Sequence, residues 1–187
     1  MITLEPNVAP LVRAFRNRHQ HGAMTEVSFR PIRECDEDAL RRFFASHTSE
    51  TIFLRYGYQI KEMSASRAHD LACLDGFDDF ALIGLVPSAQ GERIIAIGRY
   101  CREDISGYAE VAFVVHEDYR HLGIATFLLR KLSTLIAERG FAGITATAIQ
   151  GNLSMTHVLY EVLGPPPIAN FSCGQVTMRW PVLPTQG

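Results

Sequence analysis

Apolar and polar positions repeat along this chain with two periods, and each change of period marks a new element. Val27–Arg33 (VSFRPIR) predicts a strand. Asp36 then opens a helix to about His47, with Ala39, Leu40, Phe43 and Phe44 on its apolar side. Short helical stretches follow at Glu50–Tyr56 and Ser64–Leu74, the second capped by Ser64 and closed by Gly76. Phe80–Val86, Arg93–Cys101 and Tyr108–His116 read as strands separated only by turns, which predicts an antiparallel meander. The period then lengthens over Leu122–Arg139, a long helix with Ala125, Leu128, Leu129, Leu132, Leu135 and Ile136 inward and Gly140 at its end. A strand at Phe141–Ile149, a helix at Asn152–Leu163 stopped by Gly164 and Pro165–Pro167, and a strand at Gln175–Val182 complete an α/β order.

Residues 1–25 read as an N-terminal extension to a single domain over 26–187. Val8, Leu11, Val12 and Phe15 fall at i, i+3, i+4 and i+7, with Arg13, Arg16 and Arg18 among them, which predicts one short amphipathic helix docked on the domain.

Composition narrows the function classes. The chain of 187 residues carries 18 basic and 20 acidic side chains, which argues against a broad basic footprint for nucleic acid. Only Lys61 and Lys131 of the basic set are lysines. Apolar runs such as Val111–Val115 fall far short of the ~20 residues that cross a bilayer. The start, MITLEPNVAP, lacks the basic and apolar regions of a secretory leader. Cys35, Cys73, Cys101 and Cys173 lie far apart without a Cys-x-x-Cys pair, so reduced thiols in a cytoplasmic protein are expected. Without His-x-x-x-His or a His/Cys cluster, no metal is expected either.

The sharpest local signal is Tyr108 to Arg130, YAEVAFVVHEDYRHLGIATFLLR. A strand ends near His116, and a loop, Arg120-His121-Leu122-Gly123-Ile124-Ala125, leads into the long helix. The first amides of a helix have no internal partner and sit at its positive end, so this loop suits a phosphate, to which Arg120 adds charge. A dinucleotide fingerprint is excluded by the single glycine, and a Walker loop by the missing Gly-Lys-Ser/Thr. Glu110 is the only acidic residue within the apolar strand.

Strand, Arg-x-x-Gly-x-Ala and long helix together resemble the acetyl-CoA motif of the GNAT N-acetyltransferases, and the element order from about Val27 to Val182 is similar to that family's. FRPIRECDEDALRRFF, FLRYG and AEVAFVVHEDYRHLGIA resemble more narrowly the GNAT domain of bacterial Pat-type protein lysine acetyltransferases. The resemblance implies a GNAT fold, with a mixed, mostly antiparallel sheet that splays where acetyl-CoA enters. It implies a diphosphate on Arg120, His121, Leu122, Gly123, Ile124 and Ala125, and a pantetheine arm along the backbone of Phe113, Val114 and Val115. Asn152 matches a helix-start asparagine that contacts that arm. Glu110 matches the general base, and Tyr160, four residues before Gly164, stands nearest to the tyrosine that many members use as general acid. The helix around Tyr160 has one residue too many for that pattern, and Gly-Phe after it is replaced by Gly164-Pro165-Pro166-Pro167.

The activity implied is direct acetyl transfer to a primary amine. The Pat-type likeness points to a protein lysine, for example on an acyl-CoA synthetase, and GNAT domains often pair as homodimers. Two other readings stay open: a small-molecule amine N-acetyltransferase, favoured by an enclosed acidic pocket, and a catalytically weak acyl-CoA-binding sensor module, in which Glu110 would point away from the thioester.

Overall fold

The computed structural model describes residues 10–16, 24–57, 59–89 and 91–181. Their strands are β1 (Leu11–Arg16), β2 (Met24–Pro31), β3 (Asp79–Ser88), β4 (Gly91–Arg102), β5 (Tyr108–Val115), β6 (Gly143–Ile149), β7 (Ile168–Ser172) and β8 (Gln175–Pro181). The helices are α1 (Glu37–Ala45), α2 (Ser49–Tyr56), α3 (Ala65–Ala72), α4 (Ile124–Glu138) and α5 (Leu153–Leu163). One eight-stranded sheet runs in the order β1-β2-β3-β4-β5-β6-β8-β7. Every pairing is antiparallel except β5 with β6. No helix among the described residues is long and apolar enough to cross a membrane.

Strand alternation divides the buried side chains between two cores. On one face, Leu128, Leu129, Leu132 and Ile136 of α4 pack with Leu159 of α5 against Ile95, Tyr100, Val111 and Ile144. On the other, Leu40, Phe43 and Phe44 of α1, Ile52 of α2 and Ala68 of α3 cover Ile83, Leu85 and Ile94. Two hydroxyl caps start helices of this second layer: Thr48 accepts from the Thr51 amide and Ser64 from the Arg67 amide.

Three local expectations change. Leu11–Arg16 is a strand paired residue by residue with β2, from Leu11↔Phe29 to Arg16↔Met24, and not a helix; Val8 lies outside the described residues. The helical spacing of a few apolar residues is outweighed by backbone pairing and by Phe15, which is buried edge-on against Phe29 and Phe127 at 6.0 and 6.1 Å. Asp36 stands at the N-cap position of α1, but its side chain makes no cap bond to that helix. Its carboxylate accepts a two-pronged pair from Arg30 at 2.7 and 2.8 Å and a third bond from the Arg33 amide at 2.8 Å. Burial works against that charge, but the Arg30 and Arg33 bonds outweigh it and hold the carboxyl below the usual range. Finally, β7 is a fully exposed edge strand beside β8 that the hydrophobic pattern did not predict.

Candidate active site

Strands β5 and β6 pair over only three positions, Tyr108↔Gly143, Ala109↔Ile144 and Glu110↔Thr145. Beyond Glu110 they part: β5 continues on β4 to Val115, while β6 continues on β8 to Ile149. The gap opens into a cleft of about 610 Å³ between β5, the loop before α4, α2 and the start of α5. The His116 amide donates to Ile95 on β4. By the two-residue period of a strand, the polar backbone groups of Phe113 and Val115 therefore face the gap.

The loop after β5 forms a 3₁₀ turn, Glu117–Tyr119, and passes through His121 at φ +61° and Gly123 at φ +86°. Gly123 is needed for that left-handed backbone, which aims the first amides of α4 at the cleft; a side chain there would be strained. The site fits an anion: free helix-start amides, no acidic residue in the first turn of α4, and the Arg120 guanidinium nearby.

Phe113, Val114, Val115, Arg120, His121, Gly123, Ile124, Ala125 and Asn152 all line the cleft. Leu122, the remaining residue of the loop motif, is turned inward and packs on the α4 core. Asn152 caps α5, its side-chain oxygen accepting from the Met155 amide at 3.1 Å. Tyr160 is 43% exposed and stands outside the cleft lining, while Asn152, Met155, Val158 and Glu161 of the same helix face it.

Glu110 is exposed at the last paired position of the β5–β6 ladder, where the strands begin to part. Alternation places it on the same side of the sheet as Ala112 and Val114. Both line the cleft and also a smaller cavity of about 40 Å³, and Thr51 and Arg55 are shared between the two spaces as well. Phe43, Phe44, Met63 and Arg99 also line that cavity. Burial pushes the Arg55 guanidinium down from its ordinary value; Arg99 acts in the same direction and Glu110 opposes it.

Register adds a neighbour that sequence reasoning missed. Cys101 of β4 lies directly across from Glu110. Its thiol is pushed up to about 11, first by burial and then by Asp79. A thiol so placed is not a thiolate at neutral pH and is a poor nucleophile.

A second unforeseen feature joins the loop to the other layer. Glu117 accepts from the Thr48 amide at 2.9 Å, the Thr48 hydroxyl at 3.0 Å and the Thr51 hydroxyl at 2.5 Å, and contacts His47 Nδ1 at 3.2 Å. Burial opposes its charge, but these bonds prevail and hold its carboxyl far below the usual range. Arg120 donates to the Thr51 hydroxyl at 2.5 Å and to the Val115 carbonyl at 3.3 Å. The loop is thus fixed from both sides.

Comparison with known proteins agrees with this geometry. The acetyltransferase (GNAT) family matches residues 32–164. An acetyltransferase of Pseudomonas aeruginosa is 29% identical over 129 residues, covering 69% of this chain and 69% of that protein. The crystal structure of the GNAT domain of S. lividans PAT is 25% identical, with a TM-score of 0.77, and the match covers 92% of this chain and 97% of that one. The structure of yncA from Salmonella typhimurium with its cofactor acetyl-CoA shares the fold at 12% identity and a TM-score of 0.64, over 86% of this chain and 96% of its own.

Proposed function

The chain belongs to the acetyltransferase (GNAT) family, and on that footing we propose that the amine it acetylates is a lysine on the surface of another protein. Acetyl transfer from acetyl-CoA to an amine is the family's activity. Acetyl-CoA supplies an acetyl group activated as a thioester. The backbone of Phe113 and Val115 and the amides of the 120–125 loop are the groups that would hold it.

One observation carries the choice of acceptor. The small cavity on Glu110's face of the sheet holds about 40 Å³, is lined by Phe43, Phe44 and Met63 among others, and has two arginines and no carboxylate in its wall. A polyamine or amino sugar needs an acidic pocket of several hundred cubic ångströms. A lysine needs only to project its side chain into the open cleft from a body that stays outside.

Only about one lysine amine in 2,500 is neutral at pH 7, given a pKa of ~10.4. Glu110 takes the ammonium proton, and Arg55 and Arg99 nearby lower the amine's own proton affinity by like-charge repulsion. Transfer is direct, since Cys101, the thiol beside Glu110, is held protonated. Tyr160 stands outside the cleft lining, so the thiolate, of pKa ~8.5, leaves without that tyrosine as its acid.

The test compares wild type, Glu110→Gln and Tyr160→Phe. Acetyl-CoA affinity is measured by calorimetry, and turnover with a folded acyl-CoA synthetase and with spermine, the modified lysine being located by mass spectrometry. The proposal expects equal affinity in all three, turnover on the protein lost in Glu110→Gln, and little turnover of spermine. Faster turnover of spermine than of any protein would overturn the choice of acceptor. Equal turnover by wild type and Glu110→Gln would remove Glu110 from the reaction.

A further inference from the structure

Away from the cleft, the start of α1 and the end of α3 bring four donor side chains together. His69 Nδ1 lies 2.7 Å from Glu37 Oε1 and 3.3 Å from Cys73 Sγ, and Cys73 Sγ lies 3.9 Å from the same Glu37 oxygen. With Glu34 included, one donor atom from each of the four lies within 4.8 Å of the others. The expectation of no metal rested on the absence of His-x-x-x-His and of a His/Cys cluster, and the second half of that reading passed over residues 69–73. His69 and Cys73 form a His-x-x-x-Cys pair instead, one helical turn apart and hence on one side of α3.

We propose that Glu34, Glu37, His69 and Cys73 form a zinc site that clamps α3 onto α1. Zinc bonds of ~2.0 Å to nitrogen or oxygen and ~2.3 Å to the one sulfur in a tetrahedron set ligand atoms about 3.3–3.5 Å apart. The observed spacings bracket that range, so the donors close on an ion through movements of about an ångström. Thiolate and imidazole together favour zinc over magnesium or calcium, which take oxygen ligands. The two carboxylates and the thiolate supply charge opposite to the ion's.

The frame beneath the donors is already rigid. Ala68 and Ala72, the residues just before His69 and Cys73, are buried, and so are Leu40, Phe43 and Phe44 on the inner side of α1. The donors themselves stand at the surface, with the His69 side chain 55% and Glu37 31% exposed, so an ion can come and go. On binding, the thiol proton passes to solvent, and His69 ligates as a neutral imidazole through Nδ1 with its proton on Nε2. Leu71, between His69 and Cys73 in the chain, and Met63, just before α3, line the small cavity beside the cleft. Zinc therefore stiffens the wall of that cavity without touching the reacting groups.

Cobalt(II) is the probe. The full chain is stripped with chelator under reductant and titrated with cobalt, then with zinc. Wild type and Cys35→Ser are expected to bind one equivalent and to develop thiolate-to-cobalt charge-transfer absorption, which zinc then bleaches. Cys73→Ser abolishes that band, and His69→Asn weakens cobalt binding about tenfold or more. Circular dichroism of the metal-free variants confirms that they are folded; were Cys73→Ser to melt early, His69→Asn carries the same test. Absence of the band in wild type, or its survival in Cys73→Ser, would overturn the proposal. Acetyl-CoA affinity plays no part in the readout, so the outcome is independent of the acceptor assignment.

Discussion

The two sides of Glu110 present different kinds of group. Toward α4 and α5, the cleft presents backbone: the gap-facing groups of Phe113 and Val115, and helix-start amides held by Gly123. Toward α1, α2 and α3, it presents side chains from three short helices, among them Thr51, Arg55, Phe43 and Phe44. Backbone recognition requires a local geometry, which one contiguous segment can encode. Side-chain recognition requires residues that meet only after folding. A cosubstrate common to a family suits the first, and an acceptor that differs between members suits the second.

The largest test of that division is Glu110→Gln. It should lower turnover by about 10²–10⁴-fold, the usual contribution of a general base, while acetyl-CoA affinity in calorimetry stays unchanged. Next is Asp36→Ala, which leaves the Arg30 guanidinium without its partner beneath the α1 layer. It should cost about 3 kcal/mol in urea unfolding, and any folded fraction should bind acetyl-CoA with wild-type affinity. A large loss of affinity in the folded fraction would break the division.

Glu117→Gln strikes the joint between the two sides and should cost about 1–2 kcal/mol. Because the folded protein holds this carboxyl below its unfolded value of ~4.3, its contribution is complete above that pH and fades as the pH falls toward the lower folded value. Urea unfolding followed from pH 6 down to about pH 3 should therefore fall less steeply for Glu117→Gln than for wild type. The smallest effect belongs to Gly123→Ala. Forcing a side chain into left-handed backbone costs about 1–2 kcal/mol, and acetyl-CoA binding should weaken several-fold with little change in turnover at saturation.

What the sequence disclosed follows the same division. The β5–loop–α4 segment was legible because its strand period, its glycine and its helix period are consecutive. The Glu117 network was not, because its partners His47, Thr48 and Thr51 lie 66 to 70 positions away. Cys101 comes opposite Glu110 only through the register of β4 on β5, and a one-residue slip would turn it to the other face. At the two edges of the sheet, β1 and β7 are made by pairing: Phe15 is the one buried side chain of β1, and β7 has none. A hydrophobic pattern read along one strand cannot register a partner that supplies only hydrogen bonds.

The three-residue ladder between β5 and β6 has a mechanical consequence. Across the middle of an eight-stranded sheet, it is a rivet joining a five-stranded plate to a three-stranded one. Its first position, Gly143, has no room to grow: a methyl group there would overlap the Trp180 carbonyl and the Tyr108 ring. Gly143→Ala should loosen the rivet, so that under load or mild denaturant the β6–α5–β7–β8 plate lifts away first as a unit. A cosubstrate lying in the gap would act as a second fastener, and the force needed to part the plates would rise with its concentration.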